Sequence, residues 1–62
     1  MNKRSRLKRE SDGKIFVPVH IGPVSAIVDM DRTEADSVKL DGERYVSTSM
    51  KRHVYMLLEE VS

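Results

Sequence analysis

Asp41-Gly42 lies between Val38-Lys39-Leu40 and Glu43-Arg44-Tyr45-Val46. That pair commits Ser37 to Val46 to a two-residue β-hairpin. Asp-Gly supplies the positive φ angles of a type I′ turn, and strand-forming residues flank it on both sides.

Lys14 to Ile21 alternates with period two. Ile15, Val17, Val19 and Ile21 point one way; Lys14, Phe16, Pro18 and His20 point the other, as in a half-buried strand. Pro18 lacks the N–H of a central ladder, which assigns this strand to a sheet edge. Gly22-Pro23 marks a turn. Val24 to Met30 follows as a more continuous apolar run around Ala26-Ile27-Val28, expected as a central strand. Asp31 to Asp36 is polar and reads as a loop or a single helical turn. Ser47, Thr48 and Ser49 offer N-caps. Met50, Val54, Leu57, Leu58 and Val61 then recur at helical spacing, which predicts a helix over about residues 49 to 61. The expected architecture is α+β. A small antiparallel sheet of three to four strands packs on one C-terminal helix, preceded by a flexible basic N-terminal arm.

Charge defines that arm. Lys3, Arg4, Arg6, Lys8 and Arg9 precede the first acid, Glu10, whereas Ser11 to Ser62 carries six Lys/Arg against nine Asp/Glu. Residues 1–13 hold little apolar surface to offset the entropy of ordering and are expected as a flexible arm. Residues 14–62 then form a single small domain. A chain of 62 residues buries only about 60% of its unfolded surface. It has no cysteine, so no disulfide or thiolate site supports it. His20 and His53 are too few for a zinc site without carboxylate help. Self-association as a homodimer is the expected stabiliser. No apolar run approaches the roughly 20 residues that span a bilayer. The basic start lacks the apolar stretch of a secretory signal. A cytoplasmic protein with no membrane contact is expected, and no cofactor or metal.

The segment Ala26-Ile27-Val28-Asp29-Met30-Asp31-Arg32-Thr33 resembles the first motif of the haloacid-dehalogenase-like phosphohydrolases. The resemblance implies Asp29 as nucleophile, Asp31 as general acid/base and a magnesium ion beside them. It covers about ten residues. Arg32 stands where the family usually has Gly, Glu34 stands where an apolar residue is usual, and the later motifs have no chain to occupy. An enzyme is therefore not expected. The same acids do not write an EF-hand, because Glu34 occupies the position of the loop glycine.

Binding is the remaining class. Lys3, Arg4, Arg6, Lys8 and Arg9 suit phosphate contacts that release counterions, with bidentate geometry from the arginines. Lys51 and Arg52, in the expected first helical turn, add to an anion site at Ser47–Ser49. They also oppose the helix dipole, as do Glu59 and Glu60 at the far end. Phe16, His20 and Tyr45 are candidates for base stacking. The layout is similar to the arm-type DNA-binding domains of phage integrases and to AP2-like domains beside phage homing nucleases. The expected function is a small non-enzymatic nucleic-acid-binding accessory or regulatory protein, DNA or RNA, of phage-like type. The rival is a protein-binding module, an inhibitor or assembly subunit, acting through the edge of Lys14–Ile21, its acidic body or its helix face.

Overall fold

A computed structural model describes residues 1–59. Six strands follow one another: β1 (Arg6–Arg9), β2 (Ile15–His20), β3 (Ser25–Asp29), β4 (Ala35–Asp41), β5 (Arg44–Ser47) and β6 (Val54–Glu59). Each pairs antiparallel with the next, and β6 returns to β1 to close a barrel. The closing register sets Leu7 opposite Leu57, Lys8 opposite Met56 and Arg9 opposite Tyr55. Closure removes the free strand edges that a small open sheet would expose.

The α+β expectation is overturned, because no helix occurs among the described residues. Met50, Val54, Leu57 and Leu58 do fall at helical spacing, but Val54 to Leu58 also satisfies period two. Tyr55 is buried and Leu57 half-buried, while Met56 and Leu58 are exposed. The tie is settled by the ladders on either side. A helix there would leave β1 and β5 each with an unpaired edge, whereas a strand satisfies both. Val61 lies outside the described residues. The likeness to integrase and AP2-like domains rested on that helix and goes with it.

The flexible arm is also overturned. Arg6–Arg9 is β1, paired on both sides, with Leu7 and Arg9 inside the barrel. Leu7 buries apolar surface as the sequence suggests. Arg9 reads as a solvated charge in the sequence; it is instead buried and pairs with Asp12 and Glu34 at the barrel's upper mouth.

The faces of β2 are assigned by the barrel's interior. Phe16 and Pro18 point in; Ile15 and Val17 are half-buried outside and Val19 is exposed. A six-stranded barrel has room within for one large side chain per strand. Leu7, Phe16, Ile27, Val38, Tyr45 and Tyr55 fill that layer, one from each strand. The Phe16 and Tyr55 rings meet edge to face at 5.2 Å. Pro18 is not on an edge. It sits where the β2–β3 register shifts, between Pro18 and His20, so the interrupted ladder accommodates its missing N–H. The hairpin forms as expected, but its turn slips by one residue. Asp41 pairs with Arg44, leaving Gly42-Glu43 as the loop, with Gly42 at φ +66°. Glycine in the first loop position is the placement a type II′ turn uses.

Strand order puts three connections at one end and two connections with the N-terminal segment at the other. The upper rim carries residues 10–14, 30–34 and 48–53. The lower rim carries residues 1–5, 21–24 and 42–43. No helix of the described residues is long and apolar enough to cross a membrane.

Candidate nucleic-acid interface

The upper third of the barrel interior is polar. Arg9 ends β1 pointing inward, and its guanidinium lies 5.1 Å over the Phe16 ring. Its Nε donates to Asp12 at 2.9 Å, and its Nη1 pairs with Glu34. Lys14 reaches Asp29 at 2.9 Å and Glu34 at 3.3 Å. Asp29, 1% exposed, also accepts from the Thr33 hydroxyl at 2.8 Å and from the amides of Thr33 and Glu34. Asp36 accepts from the Tyr55 hydroxyl at 2.7 Å, from the Ser47 and Ser49 hydroxyls at 3.2 Å each, and from the Ser37 amide. Phe16 lies between the two halves, under the Arg9 guanidinium and against the Tyr55 ring. No buried side-chain nitrogen or oxygen among the described residues lacks a partner.

These contacts hold the charges in place. Burial alone would raise the Asp29 and Asp36 carboxyls. For Asp29, the Lys14 ammonium and the Thr33 hydroxyl outweigh it; for Asp36, Tyr55 and the Ser37 amide do so. Both acids titrate below the usual carboxylate range. Arg9 lowers Asp12 and Glu34 in the same direction. Burial, and then the Asp36 carboxylate, raises Tyr55.

The seven basic residues expected to bind nucleic acid separate into four places. Arg9 is inside, 6% exposed and committed to its acids. Arg6 and Lys8 lie on the outer wall of β1. Lys3 and Arg4 are exposed in the turn just below, held by Asn2, whose Oδ1 accepts from the Arg4 amide at 2.8 Å. Lys51 and Arg52 are exposed on the upper rim, at the opposite end from Lys3 and Arg4. The expected anion site at a helix start has no helix. Ser47 and Ser49 spend their hydroxyls on Asp36, and the Lys51 ammonium donates to the Ala35 carbonyl at 3.2 Å. Lys3, Arg4, Arg6 and Lys8 therefore form one continuous basic strip along the β1 side.

The stacking candidates do not survive intact. Phe16 and Tyr45 belong to the core, and only His20 is exposed. The phosphohydrolase reading fares no better. Asp29 is sealed by Lys14, Thr33 and two amides, while Asp31 stands apart in solvent. Sequence reasoning missed the interior network. Its one visible signal was the alternation of Asp29 with Ile27 and Ser25, and of Asp36 with Val38, which places acids on an inward face.

No protein-family model matches the chain, and neither a curated protein nor a solved structure matches it.

Proposed function

We propose that this chain is a small, non-enzymatic nucleic-acid-binding protein of the cytoplasm whose contact surface is the β1 strip of Lys3, Arg4, Arg6 and Lys8. One observation carries the reading. Burial withdraws one base, Arg9, and two acids, Asp29 and Asp36, from the surface. Of eleven Lys/Arg and ten Asp/Glu, the rest of the chain keeps ten bases and eight acids. The outward charge balance is thus more positive than the formal +1 suggests, and its densest part is a strip with no acid from Asn2 to Arg9. With the aromatic rings of Phe16, Tyr45 and Tyr55 buried, such a surface offers phosphate contacts rather than base stacking. Binding is then sequence-tolerant and salt-sensitive. The absence of cysteine agrees with a reducing compartment. The rival protein-binding reading loses its sheet edge and helix face, because the barrel is closed and all-β over the described residues.

The test is anisotropy of a labelled random duplex titrated with protein from about 50 mM to 200 mM salt. Up to four phosphate contacts at roughly −0.9 each give a log–log slope of about −3 to −4. The triple variant Lys3→Glu, Arg4→Glu, Lys8→Glu is expected to abolish most of that slope. The upper-rim pair Lys51→Glu, Arg52→Glu is expected to leave most of it. No binding at the low-salt end, or a slope indifferent to the triple change, would reject the reading.

A further inference from the structure

We propose that the β1 strip takes a single strand of nucleic acid in preference to a duplex, with phosphates on the strip's cations and bases on the apolar side chains that border it. This inference rests on the nucleic-acid reading above and names the substrate class of that same surface.

β1 lies between β2 and β6. Lys8 is paired with Ile15 on one side and with Met56 on the other, and paired residues share a face of the sheet. The exposed Lys8 side chain therefore stands between two apolar ones. Met56 is 46% exposed and Ile15 half-buried. Both rows continue along their strands. On β6 the next outward residue, Leu58, is 50% exposed; on β2, Val17 is half-buried and Val19 is 48% exposed. No charged residue occurs from Ile15 to Val19 or from Val54 to Leu58. These are side chains of core type. They stand outside because the interior takes one large side chain per strand, and Phe16 and Tyr55 hold those places. A line of cations thus runs between two lines of uncovered apolar surface, the kind of patch that marks a binding site.

Such a surface distinguishes the two forms of a nucleic acid. A duplex satisfies the cations, but its bases are stacked inside. The molecule is 18 Å across at its narrowest, so the barrel wall does not enter a major groove about 12 Å wide. It meets the backbone alone, and its apolar rows are left in water or pressed against phosphate and sugar, which costs free energy. A single strand brings both chemistries together, charged phosphates and the flat apolar faces of unstacked bases. The cations of β1 hold the first, and the rows on β2 and β6 cover the second. Outward residues of a strand recur about every 6.6 Å, a step comparable to that between phosphates on an extended strand. Aliphatic side chains cover a base without reading its edge, so the contact stays tolerant of sequence.

Anisotropy of the full chain with labelled probes tests this: a mixed-sequence single strand as DNA, the same strand as RNA, and the DNA duplex, each across one salt series. The better-bound single strand is expected to exceed the duplex roughly tenfold in affinity. Met56→Thr with Leu58→Thr removes the exposed apolar surface on the β6 side and keeps strand-forming residues there. The double variant is expected to bind the single strand roughly fivefold more weakly, with its salt slope unchanged and its duplex binding as in wild type. Lys8→Gln is expected to lower the slope on both forms. If circular dichroism shows the double variant misfolded, Val19→Thr on the β2 side replaces it, with a smaller loss in the same direction. If no probe binds at low salt, the nucleic-acid reading falls and this inference with it. If the duplex binds as tightly as the better single strand, or if the folded variant holds the single strand as tightly as wild type, this inference falls alone.

Discussion

Lys8 and Arg9 are neighbours in the chain and stand on opposite sides of the β1 wall, so a substitution at each reads a different property. Arg9 and Lys14 each bring one positive charge to the upper barrel, and Arg9 is the buried one. Without it, Asp12, Asp29 and Glu34 are left with Lys14 as the cation among them. Arg9→Gln is expected to lower the melting midpoint by several degrees, since about 1 kcal/mol moves a domain of this size by ~4–8 °C. Lys8→Gln removes an exposed charge from the outer wall and is expected to stay within about 0.5 kcal/mol of wild type. Phosphate binding responds in reverse. Lys8→Gln is expected to reduce the salt slope by about one, and Arg9→Gln to leave it unchanged while the protein is folded. Thermal melts and the salt titration on the same two proteins check both halves. Equal effects of the two changes on binding would mean that Arg9 reaches solvent after all.

At the scale of elements, β1 is the piece whose role changed most. A solvated arm is removable; a strand that closes a barrel is not. Deleting residues 1–9 would strip β2 and β6 of their shared neighbour and expose two edges. The truncated chain is expected to lose its cooperative melt and its sheet circular dichroism signal. Retention of both would restore the arm reading. The hairpin around Gly42 and the alternation of β2 were legible because local chemistry decides them, and even there the turn slipped to Gly42-Glu43. What could not be read locally was decided by closure. Val54 to Leu58 fits period two as well as period 3.6. The choice came from ladders on β1 and β5 that are more than thirty and about ten residues away along the chain, respectively. The inward face of β2 was equally a property of the whole, since Phe16 fits the interior layer beside Tyr55 and Ile15, Val17 and Val19 are left outside. Of the basic residues, the strip from Lys3 to Lys8 was visible as charge. The diversion of Arg9 depended on where the barrel brings Glu34 and Asp12.

For the whole molecule, the interior network ties stability to pH from both sides. Asp12, Asp29, Glu34 and Asp36 all titrate below their ordinary range when folded. The unfolded chain takes up the same protons near the usual values of about 4. Between those limits the unfolded state binds more protons, so acid favours unfolding. Stability from these groups is complete above the unfolded values and is lost as pH falls through the folded ones. Tyr55 works in the opposite sense. It keeps its proton in the fold beyond the pH near 10 at which the unfolded phenol releases it. Lys14 is raised likewise by Asp29 and Glu34. Their contribution is complete below the unfolded values and is lost as pH rises through the folded ones. The melting midpoint is therefore expected to form a plateau from about pH 5 to about pH 9, with a decline on each side. Asp36→Asn separates the two arms, because it removes one acid-sensitive carboxylate and the anion that helps Tyr55 hold its proton. The variant is expected to melt lower on the plateau, to decline less steeply in acid and to begin its alkaline decline earlier. An acid limb of unchanged steepness would show that Asp36 is not held ionised inside the barrel, and the outward charge balance on which the β1 strip depends would have to be recounted.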